Sequence, residues 1–381
     1  MTTHVFIVDE NTFKYHLEYM FAGTGAADKK IDFNCSSHSS LHHSTESGLV
    51  LMMADGCRVR KNDLVIFYLL ATTKHEGMFY GIFQALDDGI FLDNNDGSQY
   101  LYNELKKSLT FRLRIKPYEV YEKGVTEWSA LDEIKNLCSP NQMLWSLIYR
   151  KLKGNRGNTM ITIYESERLI SLIRNENNNK SLNTRGKCLT FDAVTKCIKA
   201  VDKPSPSYAG RMEAINIMPR FIEKYKNGQA HEAHLQMFIT QNIGRGTNKS
   251  LDSALGIKKN SLEWIGNEVS CGVGMQRIDV MVSVVENETK RILMPIELKA
   301  VPAYEDNTRQ LKRYIDWIEQ YYIPNRQSII QPVLICNGCA PLSPAIRDCF
   351  IKFNSQKGIL PLKYIEYQIV NGALDFKAIA Y

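Results

Sequence analysis

The sequence predicts a protein of two domains that both mix α-helices with β-strands. Its 381 residues are enough for two hydrophobic cores. The first half contains short apolar runs of strand length at residues 64–70, 77–85 and 109–115, separated by turn-forming residues. From about residue 225, a helical pattern precedes three strand-like runs, a second helical pattern and a further strand. We therefore expect a small β-barrel with flanking helices, followed by a mixed sheet flanked by helices.

Bulk composition is that of an ordinary globular protein, with 44% hydrophobic and 23% charged residues. No apolar run reaches the ~18 residues of a membrane span. The N-terminus lacks the basic and then apolar layout of a signal peptide, so we expect a cytoplasmic protein. The nine cysteines are scattered and odd in number, which argues for free thiols rather than a disulfide framework.

Charge is unevenly distributed along the chain. The first 105 residues carry 7 Lys and Arg against 14 Asp and Glu, whereas residues 106–180 carry 14 against 8. Residues 181–381 carry 26 against 19. Two basic regions favour a polyanionic partner met by both halves of the chain. The alternative is an ordinary solvated surface.

Two segments that lack a strand or helix pattern predict where the domains divide. Residues 175–183 are polar and rich in asparagine, and residues 203–207 alternate proline with serine. We therefore predict a first domain over 1–178, a linker over 179–210 and a second domain over 211–381.

Two apolar runs of strand length, residues 277–285 and 292–300, are joined by a polar segment that is typical of a turn, which predicts a hairpin in the second domain. This hairpin carries charges where apolar strands normally have none. Asp279 interrupts the first strand, and Glu297 and Lys299 interrupt the second. Glu297 and Lys299 are two residues apart, so they point to the same face of a strand, and Asp279 can reach that face if the hairpin pairs normally. Buried charges are costly unless something binds them, and carboxylates suit Mg²⁺ or Mn²⁺. A structural ion-pair cluster is the alternative.

Helical patterns lie on both sides of this hairpin. Residues 231–242 have apolar residues at helical spacing. His231 and His234 there invite a zinc interpretation, but they lie at i and i+3 rather than the i and i+4 of the metalloprotease motif. In the helix predicted over 308–318, Gln310 and Tyr314 are one turn apart on one face.

Asp279, the hairpin and Glu297-Leu298-Lys299 resemble the core of the PD-(D/E)xK nuclease superfamily. The helices that precede and follow resemble those of its NucS-type members, so the resemblance covers about residues 225–381. It implies a restriction-endonuclease-like fold with one Mg²⁺ (or Mn²⁺) held by Asp279, Glu297 and the carbonyl of Leu298. Glu232 is expected to help hold that metal or a second one.

The same resemblance assigns further roles. Lys299 is expected to position or help deprotonate the attacking water and to stabilise the transition state, and Gln310 to orient that water or Lys299. Pro295 departs from the pattern, because proline cannot donate to a strand ladder and should face an edge or a bulge.

The first domain resembles a PUA-superfamily module of the EVE/YTH-like kind over about residues 1–175. The resemblance rests on the opening strand with the helix after it, the Asn62-Asp63…Phe67-Tyr68 and Phe79-Tyr-Gly-Ile-Phe83 strands, Arg114-Ile-Lys-Pro117 and Gly154-Asn-Arg-Gly-Asn158. Relatives of that kind read nucleic acids, and several hold a flipped, modified base in an aromatic-lined pocket.

That resemblance implies two sets of binding residues. Aromatic faces stack on an extruded base, and Arg or Lys hold the flanking phosphates. The candidates for the pocket, each of which could instead be core, are Tyr68, Tyr80, Phe83 and Trp128. The candidates for nucleic-acid contact are Arg156, Lys153, Arg112, Arg114 and, in the second domain, Arg277.

The resulting expectation is a metal-dependent DNA endonuclease, best described as a restriction enzyme directed by a modified base. Its partner would be double-stranded DNA, and because cutting both strands needs two active sites, a homodimer is expected. Three alternatives stay open at this point: a repair nuclease for mismatched or branched DNA, an RNA-cleaving enzyme, and a non-catalytic nucleic-acid-binding protein.

Overall fold

The computed structural model describes residues 1–25, 30–32, 46–148, 157–259, 261–271, 276–288, 290–323, 328–338 and 341–381. It divides into two compact units, Met1–Ile215 and Asn216–Tyr381. Both units mix helices and strands, as the sequence predicts. Among the described residues, no helix is both long enough and apolar enough to cross a membrane.

The first unit contains ten strands and five helices among its described residues. In chain order they are β1 (Thr3–Val8), α1 (Glu10–Glu18), β2 (Phe21–Thr24), α2 (Glu46–Cys57), β3 (Leu64–Leu69), β4 (Met78–Ala85), β5 (Phe91–Leu92), α3 (Tyr102–Leu105), β6 (Phe111–Pro117), β7 (Val125–Thr126), α4 (Trp145–Ile148), β8 (Asn158–Ile161), α5 (Ile163–Glu176), β9 (Cys188–Asp192) and β10 (Cys197–Val201).

Eight of these strands form one curled sheet in the order β2-β6-β4-β3-β1-β8, with β5 on β6 and β7 on β4. β1 runs parallel to β3, and the other pairs are antiparallel. Helix α5 begins at a capping box in which Thr162 and Glu165 satisfy each other's backbone amides. Apolar residues of β1, β3 and β4 pack beneath α5 and close the core on one side of the sheet.

The predicted linker over 179–210 is wrong for much of its length. β9 and β10 form an antiparallel hairpin within it. Phe191 of β9 packs against Phe13 of α1 with ring centroids 4.8 Å apart, so the hairpin is bound to the first unit. The polar and proline-rich stretches that suggested a linker instead flank this hairpin.

The first unit also extends past the predicted boundary at 211. Arg211 forms an ion pair with the buried Asp93 at 3.2 Å, and Leu92 bridges to Glu213. These contacts hold residues 211–215 against the first unit and place the division at 215/216.

The second unit contains seven strands and five helices among its described residues. They are α6 (Met218–Lys226), α7 (Glu232–Asn242), α8 (Lys249–Leu255), β11 (Leu262–Ser270), β12 (Arg277–Val285), β13 (Arg291–Lys299), α9 (Asp306–Trp317), β14 (Ser328–Ile330), β15 (Val333–Asn337), α10 (Pro344–Asn354), β16 (Lys363–Val370) and β17 (Ala373–Ala378).

Its strands form one mixed sheet in the order β11-β12-β13-β15-β16-β17, with β14 also on β13. β13, β15 and β16 are parallel, whereas β11, β12 and β17 pair antiparallel with their neighbours. Pro295 lies in β13 between the residues that pair with β14 (291–293) and those that pair with β15 (296–299). Its missing N–H therefore falls at a break in the ladder, which is the kind of position expected for proline.

Candidate active site

The predicted hairpin is β12 and β13, and its register brings the three charged residues together. The antiparallel pairing ends at Val280 opposite Ile296, and one further step places Asp279 opposite Glu297. Asp279 Oδ2 accepts a hydrogen bond from the amide of Leu298 at 2.8 Å. Lys299 Nζ bonds to Glu297 Oε1. The three charges thus meet on one face, at the carboxyl end of β13.

Burial makes this group electrostatically unusual. Glu297 is fully buried, and the side chain of Lys299 is 12% exposed. Burial and the facing Glu297 charge raise the pKa of Asp279 well above its ordinary value. Burial also raises the pKa of Glu297, even though Lys299 and a hydrogen bond from Tyr314 oppose the shift. The protein surroundings therefore disfavour the charged forms of both carboxyl groups.

Lys299 behaves differently from its neighbours. Burial acts to lower the pKa of its ammonium group, but the charge and hydrogen bond of Glu297 outweigh burial and raise it. Lys299 therefore stays protonated at neutral pH in this state. This favours the expected role as a positioning cation over that of a base.

Two residues of helix α9 hold Glu297 in place through hydrogen bonds. The hydroxyl of Tyr314 lies 2.8 Å from Glu297 Oε2 and 2.7 Å from the carbonyl of Arg277, and its single hydrogen can serve either acceptor. Gln310 Nε2 donates to that hydroxyl at 2.6 Å. Gln310 consequently acts through Tyr314 on Glu297, and the structure places no contact between Gln310 and Lys299. Tyr314 was absent from the predicted site residues, although its one-turn spacing from Gln310 was the available signal.

Helix α7 faces the same strands. Glu232 is half-buried near its beginning, and its charge acts on Asp279, Glu297 and Lys299. One turn later, Gln236 is buried and donates to the main-chain carbonyl of Asp279. Gln236 thus holds the backbone of β12 at Asp279. A polar residue inside an apolar helix, four residues after Glu232, was the sequence signal for it.

The zinc interpretation of His231 finds no support. Its Nδ1 lies 2.8 Å from the carbonyl of Gln229, and its Nε2 lies 2.8 Å from the hydroxyl of Tyr367. A carbonyl can only accept, so Nδ1 carries the proton, and the neutral ring accepts from Tyr367 through Nε2. Both nitrogens are used, and burial lowers the pKa of the ring, so His231 fixes the start of α7 against β16.

Arg277 lies at the rim of the site. Continuing the β12–β13 register places it opposite Lys299, and its guanidinium lies 3.4 Å from Glu268 of β11. Its side chain is 33% exposed. Arg277 is the predicted nucleic-acid contact that belongs to the second unit, and it lies two residues before Asp279 in β12.

Metal binding is a further property that this arrangement of carboxylates bears on. In the described ranges, no group of three or more His, Cys, Asp or Glu side chains is close enough to hold a metal ion. Mg²⁺, however, usually keeps several waters and is bound by one or two carboxylates together with substrate phosphate. Two facing carboxylates with raised pKa values suit such an ion, because a divalent cation would favour their charged forms. Leu298 directs its amide toward Asp279, and its carbonyl faces the same neighbouring strand.

The aromatic candidates of the first unit do not form one pocket. Tyr80 and Phe83 are fully buried, and Tyr80 packs against Phe13 and Phe191. The ring of Tyr68 is buried as well, with its hydroxyl donating to Glu127 at 2.7 Å. Trp128 is 61% exposed. The alternative that these rings are core holds for the first three, because the curled sheet turns them inward.

The arginine candidates of the first unit differ in their burial. Arg112 is fully buried and pairs with the equally buried Asp93 at 3.2 Å, so it is not available to a nucleic acid, and its assignment as a contact is corrected. Arg114 forms a two-bonded pair with Asp87 and is partly exposed. Lys153 and Arg156 lie outside the described residues.

Comparison with known proteins leaves the family open. No protein-family model matches the chain, and no curated protein is significantly similar to it.

The facing carboxylates predict an unusual dependence of stability on pH. The folded state of the metal-free protein holds the pKa of Asp279 above its unfolded value, so the charged form is disfavoured on folding. Stability should therefore fall as pH rises from about 4, the unfolded value, through the folded value. Asp279→Asn keeps an acceptor for the Leu298 amide without the charge. In EDTA, the melting temperature of Asp279→Asn should be higher than that of the wild type at pH 8 but not at pH 4. The increase should be about 2–4 °C for each 1 kcal/mol of destabilisation that the substitution removes.

Glu286→Gln is the control for this measurement, because Glu286 lies in the turn of the same hairpin and forms an exposed pair with Lys290. Adding Mn²⁺ should raise the melting temperature of the wild type and leave that of Asp279→Asn nearly unchanged. A variant that melts below the wild type at pH 8 in EDTA would contradict the electrostatic account.

Proposed function

We propose that the chain is a metal-dependent endonuclease that hydrolyses phosphodiester bonds in DNA. The observation that carries this proposal is the pairing of Asp279 with a fully buried Glu297 across β12 and β13, with Lys299 bonded to Glu297. Such a group costs stability as a mere ion-pair cluster, because one ammonium cannot offset two desolvated carboxylates. A site that binds a cation and a phosphate explains why those charges lie together.

The residues that would hold the metal are Asp279 and Glu297, with the carbonyl of Leu298 and Glu232 as further candidates. A bound Mg²⁺ or Mn²⁺ would supply Lewis-acid polarisation of the phosphate and lower the pKa of a bound water. This set belongs to the PD-(D/E)xK pattern that the sequence resembles, and it forms part of the proposal.

The protein's own groups have distinct tasks in this reaction. Lys299 keeps its proton and places positive charge beside the carboxylates, where the negative charge of a phosphoryl transition state would develop. Tyr314 holds Oε2 of Glu297, and Gln310 holds Tyr314. The Leu298 amide holds Asp279, and Gln236 holds the Asp279 backbone. Each carboxylate is therefore oriented before any ligand arrives, which limits the reorganisation that catalysis would require.

The first unit is proposed as the module that chooses where the DNA is cut, through a modified base. Its support is the PUA-like resemblance together with an open groove of about 520 Å³ in this unit. Thr126 and Ser129 line that groove, and the exposed Trp128 lies between them in the sequence. Trp128 is the predicted aromatic residue that remains free to stack on a base. The whole chain would then be a modification-directed restriction enzyme, expected to act on double-stranded DNA as a homodimer.

Purified protein should cut DNA in Mn²⁺ or Mg²⁺ and not in EDTA. A panel of unmodified, differently modified, mismatched and branched duplexes, with RNA alongside, would identify the substrate class. Glu297→Gln should lose this activity, whereas Glu286→Gln, on the same hairpin, should keep it. If every substrate stays intact, or if Glu297→Gln cuts as well as the wild type, the nuclease proposal is wrong.

A further inference from the structure

Arg313 lies on α9 and was not among the predicted site residues. The role inferred for it here rests on the proposed nuclease function. Helix α9 directs Gln310 and Tyr314 at the carboxylate site. Arg313 lies three residues after Gln310, so the two side chains are neighbours on the surface of the helix. Unlike Gln310 and Tyr314, Arg313 is exposed.

The charge of Arg313 also acts on a buried thiol that follows β11. Cys271 follows β11 directly and is buried. Burial and the charges of Glu297 and Asp279 raise the pKa of its thiol to about 12, and the charge of Arg313 acts in the opposite direction. The same thiol is therefore within electrostatic range of Arg313 and of both carboxylates. This supports the position of Arg313 next to Gln310 on α9.

The three cations of α9 differ in their partners. Arg309 pairs with Asp306 at 2.9 Å, and Lys312 pairs with Asp316, so the helix neutralises both within one turn. For Arg313, none of the carboxylates in the described part of the chain forms an ion pair. An exposed guanidinium without a carboxylate partner keeps its five donors for a ligand, and its fork matches phosphate oxygens.

We propose that Arg313 binds a backbone phosphate of the nucleic acid next to the bond that Asp279, Glu297 and Lys299 act on. Arg277 borders the site from β12, and its pairing with Glu268 reduces the charge that it offers. Arg313 is then the phosphate-binding residue of α9, and it would hold the strand in register with the carboxylates. Its charge serves binding rather than chemistry, because Lys299 already supplies the cation in contact with Glu297.

The test measures how tightly the full-length protein binds a DNA duplex in EDTA, over a series of salt concentrations. Loss of one phosphate contact should reduce the slope of log binding constant against log salt by about 0.9. For Arg313→Gln, this corresponds to roughly fivefold weaker binding at 0.15 M salt. Arg313→Lys should keep the wild-type slope, because it keeps the charge.

Arg309→Gln is the matched control, since it removes an arginine from the same helix that Asp306 already neutralises. It should leave both slope and affinity unchanged. If Arg313→Gln and Arg309→Gln behave alike while the wild type binds and cuts DNA, the role of Arg313 is wrong and the nuclease proposal stands. If the wild type neither binds nor cuts any nucleic acid, both proposals fall together.

Discussion

Replacing Lys299 with glutamine is expected to lower the rate of metal-dependent DNA cleavage by on the order of 100- to 1000-fold. Glutamine keeps a hydrogen-bond donor beside Glu297 but lacks the positive charge that Lys299 retains at neutral pH. The loss should appear in the rate of a single turnover at saturating protein, because the missing charge acts on the transition state rather than on DNA binding.

Lys290→Gln provides the comparison, because Lys290 lies in the turn before β13, its side chain is 42% exposed, and it pairs with Glu286. It should cut at the wild-type rate. Both variants should be melted in Mn²⁺ to show that the second unit is folded, since removing one member of a buried pair can cost stability. Cleavage by Lys299→Gln within tenfold of the wild type would argue that the ammonium is structural.

Arg112→Ala is expected to destabilise the first unit by about 3–5 kcal/mol. The guanidinium and Asp93 are both fully buried, 3.2 Å apart. Arg112 also donates to the carbonyls of Leu109 at 2.8 Å and Tyr100 at 2.6 Å, and it lies over the ring of Phe21. Alanine would remove the side-chain donors to those carbonyls and would leave Asp93 with Arg211 as its ion-pair partner and the Tyr100 amide as a hydrogen-bond donor.

Arg114→Ala is the natural comparison, because it removes the arginine two residues later in the same strand. Arg114 pairs with Asp87 and its side chain is 39% exposed, so its loss should cost about 1 kcal/mol or less. Urea denaturation followed by tryptophan fluorescence would compare the two variants. Equal stabilities would contradict the view that Arg112 holds the core.

The hairpin of the second unit shows what a local sequence pattern can predict. Two apolar runs around a polar turn predict β12 and β13, and the observed strands differ from the prediction by at most one residue at each end. The strand period of two then places Glu297 and Lys299 on one face. What this pattern cannot supply is a contact between distant segments. The bond from Tyr314 to Glu297 and that from Gln236 to Asp279 depend on how α9 and α7 pack on the sheet.

The first unit shows the opposite case. Arg112 lies in a strand that alternates apolar residues with arginines, and it was predicted to contact nucleic acid. The curled sheet places it inside instead, because Asp93, two backbone carbonyls and the ring of Phe21 converge there and offset the cost of burial. The hairpin over 188–201 was likewise not predicted, because polar stretches flank it in the sequence. Phe191 packs on α1 and stabilises it.

By itself, the sequence determined that this chain has two mixed α and β parts and a charged hairpin in the second of them. Strand and helix periods are short-range properties, so they can be read locally. The tertiary structure alone decided which charges are buried, which aromatic rings are core, and which residues of α7 and α9 hold the carboxylates. Those outcomes follow from desolvation and from pairing between residues far apart in the chain, and no local pattern records either.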